Sequence, residues 1–200
     1  MERKTKMFGW FNFISLILSA LLFLYFYVRS ASPATLEKRI GEIAYSTCTQ
    51  YRLISGVFEL VAVVNYLVYF FYPLSIPLPR TFPWDWWISA LIGVLIAVPG
   101  GYLFLRGLKD AGEESIFVKK KHKLFGGIYK KMRHPQAVGE VTFWWVIAFL
   151  LNSPFLALFS FIWIPIFYTI CWAEEKDLII RYGEEYLEYR RNTPFLSIPR

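Results

Sequence analysis

The run from Met7 to Val28, 22 residues without a charged side chain, constrains this chain more than any other feature. At 1.5 Å per residue, about 20 apolar residues carry a helix across the ~30 Å hydrocarbon core of a bilayer. Leu53–Tyr72 and Trp86–Leu105 meet that length, and Phe155–Trp172, at 18 residues, just meets it. Val141–Leu151 alone is too short. Starting it at Pro135, a residue favoured in the first turn of a helix, adds six residues. Asn152-Ser153-Pro154 then reads as a tight turn. The pattern predicts an all-α polytopic membrane protein of about five transmembrane helices, the last two a helical hairpin, followed by a C-terminal interfacial helix.

Composition agrees. Only 18% of the 200 residues are charged, against about a quarter in soluble domains. The formal charge of +7 is unevenly spread, with nine of the 22 Lys and Arg between Arg106 and Arg133. Such a loop beside a membrane meets anionic headgroups, each basic residue contributing roughly 1 kcal/mol near the surface. Nucleic-acid binding is not expected, since neither a recognition motif nor a soluble domain is present. Basic residues mark the cytoplasmic side, which puts the 106–140 loop, the tail after Trp172 and the 29–52 connection inside. Three earlier spans then leave the N-terminus outside, against Arg3, Lys4 and Lys6. Met1–Lys6 followed by an apolar run resembles a signal peptide, but the run exceeds a signal h-region, so a retained first span is expected. The cell membrane is the default address. Cys48 reads as part of a polar connection and Cys171 as part of an apolar run, so no bridge is expected, and two cysteines make no disulfide framework. No metal site is expected.

Three places stand out chemically. Glu59 lies inside a span with Asn65 below it, and a carboxylate there costs several kcal/mol unless it meets a partner or a wet cavity. It is either functional or a structural hydrogen bond to a neighbouring helix. In the loop, Gly126-Gly127 permits close backbone approach, and Arg133-His134 precede the helix that Pro135 starts. A helix N-terminus with added donors suits an anionic group; the plainer reading is a basic loop touching lipid phosphate. After the last span, Leu178, Ile179, Tyr182, Tyr186 and Tyr189 recur at helical spacing, as on a helix lying along the interface, with Gly183 marking a break. The hairpin returns Glu174 and Glu175 to the side of His134. A carboxylate facing a cation or ribose hydroxyls is one use for them, and an acidic first helical turn is the other.

Taken together, Gly127-Ile128-Tyr129, Arg133-His134-Pro135, Gly139, a hairpin, Glu174-Glu175 and Tyr182-Gly183-x-x-Tyr186-x-x-Tyr189 resemble the isoprenylcysteine carboxyl methyltransferases and the related phospholipid methyltransferases. The resemblance covers about 119–200. It divides the chain into N-terminal transmembrane helices (1–118) and a part holding the cofactor loop, hairpin and C-terminal segment (119–200) within one membrane domain. It implies S-adenosylmethionine as cofactor and a lipophilic or lipid acceptor that arrives through the membrane. Carried over residue by residue, the cofactor contacts are His122, Leu124, Phe125, Tyr129, His134, Pro135, Gln136, Ala137 and Glu174. The methionine carboxylate suits the helix start at Pro135, the adenine an apolar shelf such as Leu124 and Phe125, and the sulfonium a carboxylate or aromatic neighbour.

The chain departs from the pattern at three points. The stretch between His122 and Tyr129 is one residue short, Ala137 stands where many members have Tyr, and Ile170 stands where carboxyl methyltransferases have an Arg that holds the substrate carboxylate. The last departure argues against carboxyl methylation. Arg133 is the candidate substrate contact. An amine or alcohol acceptor needs a base, for which the candidates are Glu140, Glu175 and Glu59. Two rival functions are kept: an NADPH-dependent membrane reductase related to the sterol and steroid reductases, suggested by Gly139-Glu140 and Trp144-Trp145, and a membrane scaffold that has lost the chemistry.

Overall fold

The computed structural model describes residues 2–120 and 126–196, and every regular element among them is helical. Helix α1 (Glu2–Ser30) runs to one face of the bundle, where the short α2 (Pro33–Ile40) turns the chain into α3 (Ile43–Phe71). After a connection at the opposite face, α4 (Trp86–Ala111) returns. Helix α5 (Pro135–Leu150) crosses back, and α6 (Pro154–Phe159), a 3₁₀ turn at Ser160–Ile162 and α7 (Trp163–Tyr182) bring the chain home. Helix α8 (Glu184–Asn192) closes the fold. The ends of α1, α4 and α7 and the starts of α3 and α5 therefore share one face, the site face. The opposite face carries the α5–α6 turn.

Four stretches are long and apolar enough to cross a membrane: Lys4–Ser30, Ile43–Phe71, Trp86–Ser115 and Pro154–Tyr182. All outrun the expected spans because backbone hydrogen bonding continues the helices past the last apolar residue. Helix α5, with 16 residues, is about 24 Å long and falls short of a full crossing, so the expected five resolve into four full-length helices and one shorter one. Their outer faces are apolar, with Leu53, Val57 and Leu60 on α3 and Leu91, Val94, Leu95 and Val98 on α4 all exposed. In lipid this exposure costs nothing, and the helices pair most of their backbone groups internally.

Two expectations are corrected. Leu178 and Ile179 belong to α7, with Leu178 buried, so only α8 remains of the separate interfacial helix, beyond the break at Gly183 (φ +54°). Cys48 lies within α3 and is buried, because the helix starts at Ile43, ten residues before its apolar run. Cys48 and Cys171 are both free.

Packing explains how the helices hold their places. At mid-bundle the Trp144 and Trp163 rings stack at 3.6 Å and 6°. Trp163 Nε1 donates to the Tyr66 hydroxyl at 3.0 Å, which lies 3.2 Å from Ser160 Oγ. An aromatic group brings area and geometry to such a plug, and its polar tip needs the partner it has here. Helices α4 and α5 approach closely at Gly100 and Gly139. A Cβ on Gly139 would stand 2.5 Å from the Gly100 carbonyl oxygen and 2.6 Å from the Phe104 nitrogen. Small residues permit this contact, as they commonly do between membrane helices. At the turn face, Ser89 Oγ bonds to Asn152 Oδ1 at 2.6 Å and accepts from Trp84 Nε1 at 2.9 Å, while Trp86 Nε1 donates to the Leu150 carbonyl at 2.9 Å. At the site face, the buried Asp177 on α7 accepts from the Ala34 N–H at 2.8 Å and pairs with Arg181 at 2.8 Å. It caps α2 from another helix and fixes the α1–α3 connection to α7.

Candidate active site

The loop before α5 is shaped from its own residues. Asp110, near the end of α4, accepts from the Ile128 N–H at 2.7 Å and from Arg106 Nε at 3.0 Å. Gly127 sits beside this carboxylate at φ +55°, where a Cβ would collide with Asp110 and where only glycine is at ease. The following 3₁₀ turn buries Tyr129, whose hydroxyl donates to the Gly107 carbonyl at 3.3 Å and whose own carbonyl accepts from Tyr189 at 2.7 Å. Burial holds the Tyr129, Tyr186 and Tyr189 phenols above their ordinary range, so all three stay neutral.

His134 flanks the start of α5, with Pro135 at the first helical position. Its Nε2 lies 2.9 Å from Glu175 Oε1 and its Nδ1 lies 3.6 Å from Glu174 Oε2. Burial alone would lower its basicity. Hydrogen bonds to Cys171, Glu174 and Glu175 outweigh that and hold His134 well above the ordinary histidine value, as an imidazolium set between two carboxylates. Arg133 is fully committed nearby. Its Nε meets Glu175 at 2.8 Å, and its terminal nitrogen donates to the Thr193 and Arg190 carbonyls at 2.7 and 3.0 Å. Its backbone N–H bonds the Pro194 carbonyl at 3.1 Å, and Phe195 packs against both the guanidinium and the His134 ring. Arg133 thus straps the C-terminal segment over the site.

These elements enclose a cavity that is open at its mouth. Of the cofactor contacts implied by the resemblance, Tyr129, His134, Gln136, Ala137 and Glu174 line it. Pro135 does not; it is buried at the helix start and sets the direction of its neighbours. His122, Leu124 and Phe125 lie outside the described residues. Arg133 lines the cavity, although the strap leaves it little to offer a substrate. Of the three candidate bases only Glu140 lines the wall. Glu175 is buried against Arg133, His134 and Arg190 instead. Glu59 stands behind Glu140, the two carboxyls hydrogen-bonded to each other. Ile170 forms part of the wall, an apolar surface where an arginine was looked for.

Several wall residues come from elements the sequence reading left aside: Tyr27 of α1, Arg52 of α3, Glu114 and Lys119 after α4, and Arg181 of α7. Arg52 donates to the Glu114 carbonyl at 3.0 Å and lies over the Tyr27 ring. Arg52 was visible as a base at the edge of a span, but nothing in its neighbours says that it turns inward.

The phospholipid methyltransferase family model matches residues 88–185, from α4 to the start of α8. This region is similar to the phospholipid methyltransferase family. The chain is also similar to the protein-S-isoprenylcysteine O-methyltransferase of Saccharomyces cerevisiae, 31% identical over 121 residues, which is 56% of this chain and 49% of that protein. The chain thus spans about half the length of the curated relative it matches. No solved structure matches it. The matched region contains most of α4, all of α5 and α7 and most of the cavity wall, while Tyr27, Arg52, Tyr186 and Tyr189 come from outside it.

A nucleoside sulfonium with a methionine tail fits what this wall offers. Gln136 Nε2 is buried beside the cavity without a hydrogen-bond partner among the described residues, and the start of α5 has no side-chain cap. Both are donors suited to a carboxylate. Glu174 supplies an anion for an amine or sulfonium, and Tyr27, Phe167 and Tyr186 supply faces for a purine ring.

Proposed function

We propose that this protein transfers a methyl group from S-adenosylmethionine to a lipophilic acceptor at the membrane interface, with the site face and C-terminus on the cytoplasmic side. One observation carries the reading: within the family-matched region, the start of α5, Gln136, His134 and Glu174 converge on one cavity at the site face. The bound cofactor brings an electrophilic methyl group, and the protein's part is alignment in a dry site.

The chain's own residues divide that part. The α5 start and Gln136 hold the carboxylate of the methionine moiety. Glu174, kept in place by His134, faces its positive end. The neutral phenols of Tyr129, Tyr186 and Tyr189 wall the site without adding charge. The strap at 193–195, pinned by Arg133, shuts out water from above. Alignment of this kind can lower a barrier by roughly 7–11 kcal/mol. The acceptor differs from that named for the yeast relative, because Ile170 offers a carboxylate nothing to bind.

Calorimetry on the detergent-purified protein with S-adenosylhomocysteine and NADPH side by side tests the reading. S-adenosylhomocysteine binding that His134→Ala and Glu174→Ala each weaken strongly is the expected result. NADPH binding in its place makes the protein a reductase, and binding of neither makes it a scaffold.

A further inference from the structure

The carboxyls of Glu59 on α3 and Glu140 on α5 are hydrogen-bonded to each other inside a membrane protein. An ionised carboxylate only accepts hydrogen bonds, so a carboxyl–carboxyl bond contains at least one proton. Two carboxyls that share a hydrogen bond cannot both be ionised. The place of the pair is as telling as its chemistry. Helices α3 and α5 run in the same direction from the site face. Two turns below Glu59 and one turn below Glu140, Tyr66 packs on Trp144 at 5.0 Å, and Trp144 stacks on Trp163. The pair therefore sits between the cavity, which Glu140 lines, and the aromatic plug that closes the bundle beneath it. Its open route is upward, into the cavity. The Tyr27 hydroxyl, Arg52 and Glu174 share the electrostatic surroundings of the two carboxyls, and none of them is a base free to take a proton: Tyr27 is a phenol, Arg52 a cation and Glu174 is bound to His134.

We propose that Glu59 and Glu140 hold one proton between them and serve as the proton acceptor for a methyl acceptor whose attacking atom carries hydrogen, an amine or a phenol, and not for a carboxylate. This rests on the methyl-transfer reading and deepens it. In the step, the acceptor's N–H or O–H bond breaks and its proton passes to the carboxylate of Glu140. The freed electron pair forms the new bond to the methyl carbon, and the carbon–sulfur bond of the donor breaks with its electrons left on sulfur. The pair, now carrying two protons and no charge, returns one to water at the cavity mouth. Glu59 acts through Glu140 as the positioning member. A carboxylate acceptor carries no proton to remove and meets the negative charge of the pair.

Two measurements test this. Infrared difference spectroscopy in lipid nanodiscs reads the carbonyl stretch of a protonated carboxyl. The wild type is expected to show it at neutral pH, and Glu59→Gln and Glu140→Gln are each expected to shift it by breaking the shared bond; its absence from the wild type overturns the pair. The second measurement is methyl transfer from radiolabelled S-adenosylmethionine to dodecylamine, dodecylphenol and dodecanoate in detergent micelles, beside calorimetry with S-adenosylhomocysteine. Label is expected on the amine or the phenol, falling about 100-fold in Glu140→Gln while S-adenosylhomocysteine binding is unchanged. Label on dodecanoate that Glu140→Gln leaves intact overturns the proposal, as does loss of S-adenosylhomocysteine binding in that variant, which makes Glu140 a cofactor ligand. A wild type that binds no S-adenosylhomocysteine overturns the methyl-transfer reading itself, while the infrared band still reports on the pair.

Discussion

The two ends of this bundle are built from the same helices and hold together by opposite means. At the turn face the polar contacts are neutral and complete: Ser89 with Asn152 and Trp84, and Trp86 with the Leu150 carbonyl. At the site face charged pairs join the elements, from Asp177 and Arg181 to His134 between Glu174 and Glu175, and Gln136 is left with a donor to spare among the described residues. Neutral hydrogen bonds cost little to bury and fix one geometry. Buried charges are expensive, and breaking one such pair costs several kcal/mol because the other charge is left behind. The difference separates an end that keeps the helices in register from an end kept ready for a ligand.

That separation can be broken by substitution. Trp163→Ala, in the plug, is expected to lower stability by about 3–5 kcal/mol in reversible detergent denaturation, with S-adenosylhomocysteine affinity of the folded fraction unchanged. His134→Ala should do the reverse, weakening S-adenosylhomocysteine binding about 100-fold, or ~2.8 kcal/mol at 1.4 kcal/mol per tenfold, with a smaller loss of stability. Asn152→Ala should cost about 1–3 kcal/mol of stability by orphaning Ser89 and leave binding untouched; weakened binding would show that the two ends are coupled.

The smallest effect is in the pH dependence. The folded structure holds His134 above its ordinary value of about 6.5. The stability this contributes is complete below that ordinary value and is lost as pH rises through the raised one. Thermal stability should therefore fall as pH is raised above neutrality, and His134→Gln should flatten that slope. A slope that survives the substitution would place its origin in another group.

Much of the fold could be read from the sequence because lipid imposes simple rules on length and charge. The hairpin, the helix start at Pro135 and the meeting of His134 with Glu174 all followed from local pattern. The wall formed by Tyr27 and Arg52 did not, because it depends on which way α1 and α3 face and on contacts spanning over a hundred residues of sequence. Glu174 and Glu175 illustrate the limit. Neighbours on a helix point about 100° apart, so one reaches the cavity and the other reaches Arg133; spacing alone does not say which, and only the resemblance pointed to Glu174. Glu59 and Glu140 each stood out as unusual, but only their packing joins them.

The same pairing sets a schedule for biosynthesis. Glu59 leaves the ribosome about 80 residues before Glu140, and at roughly 5–20 residues per second it waits several seconds for its partner. During that interval α3 carries a lone carboxyl with no α5 to receive it. Until the hairpin follows, α1 and α3 enter the bilayer as an unfinished pair, and the arrival of the last helices relieves that burial cost and forms the site in the same event.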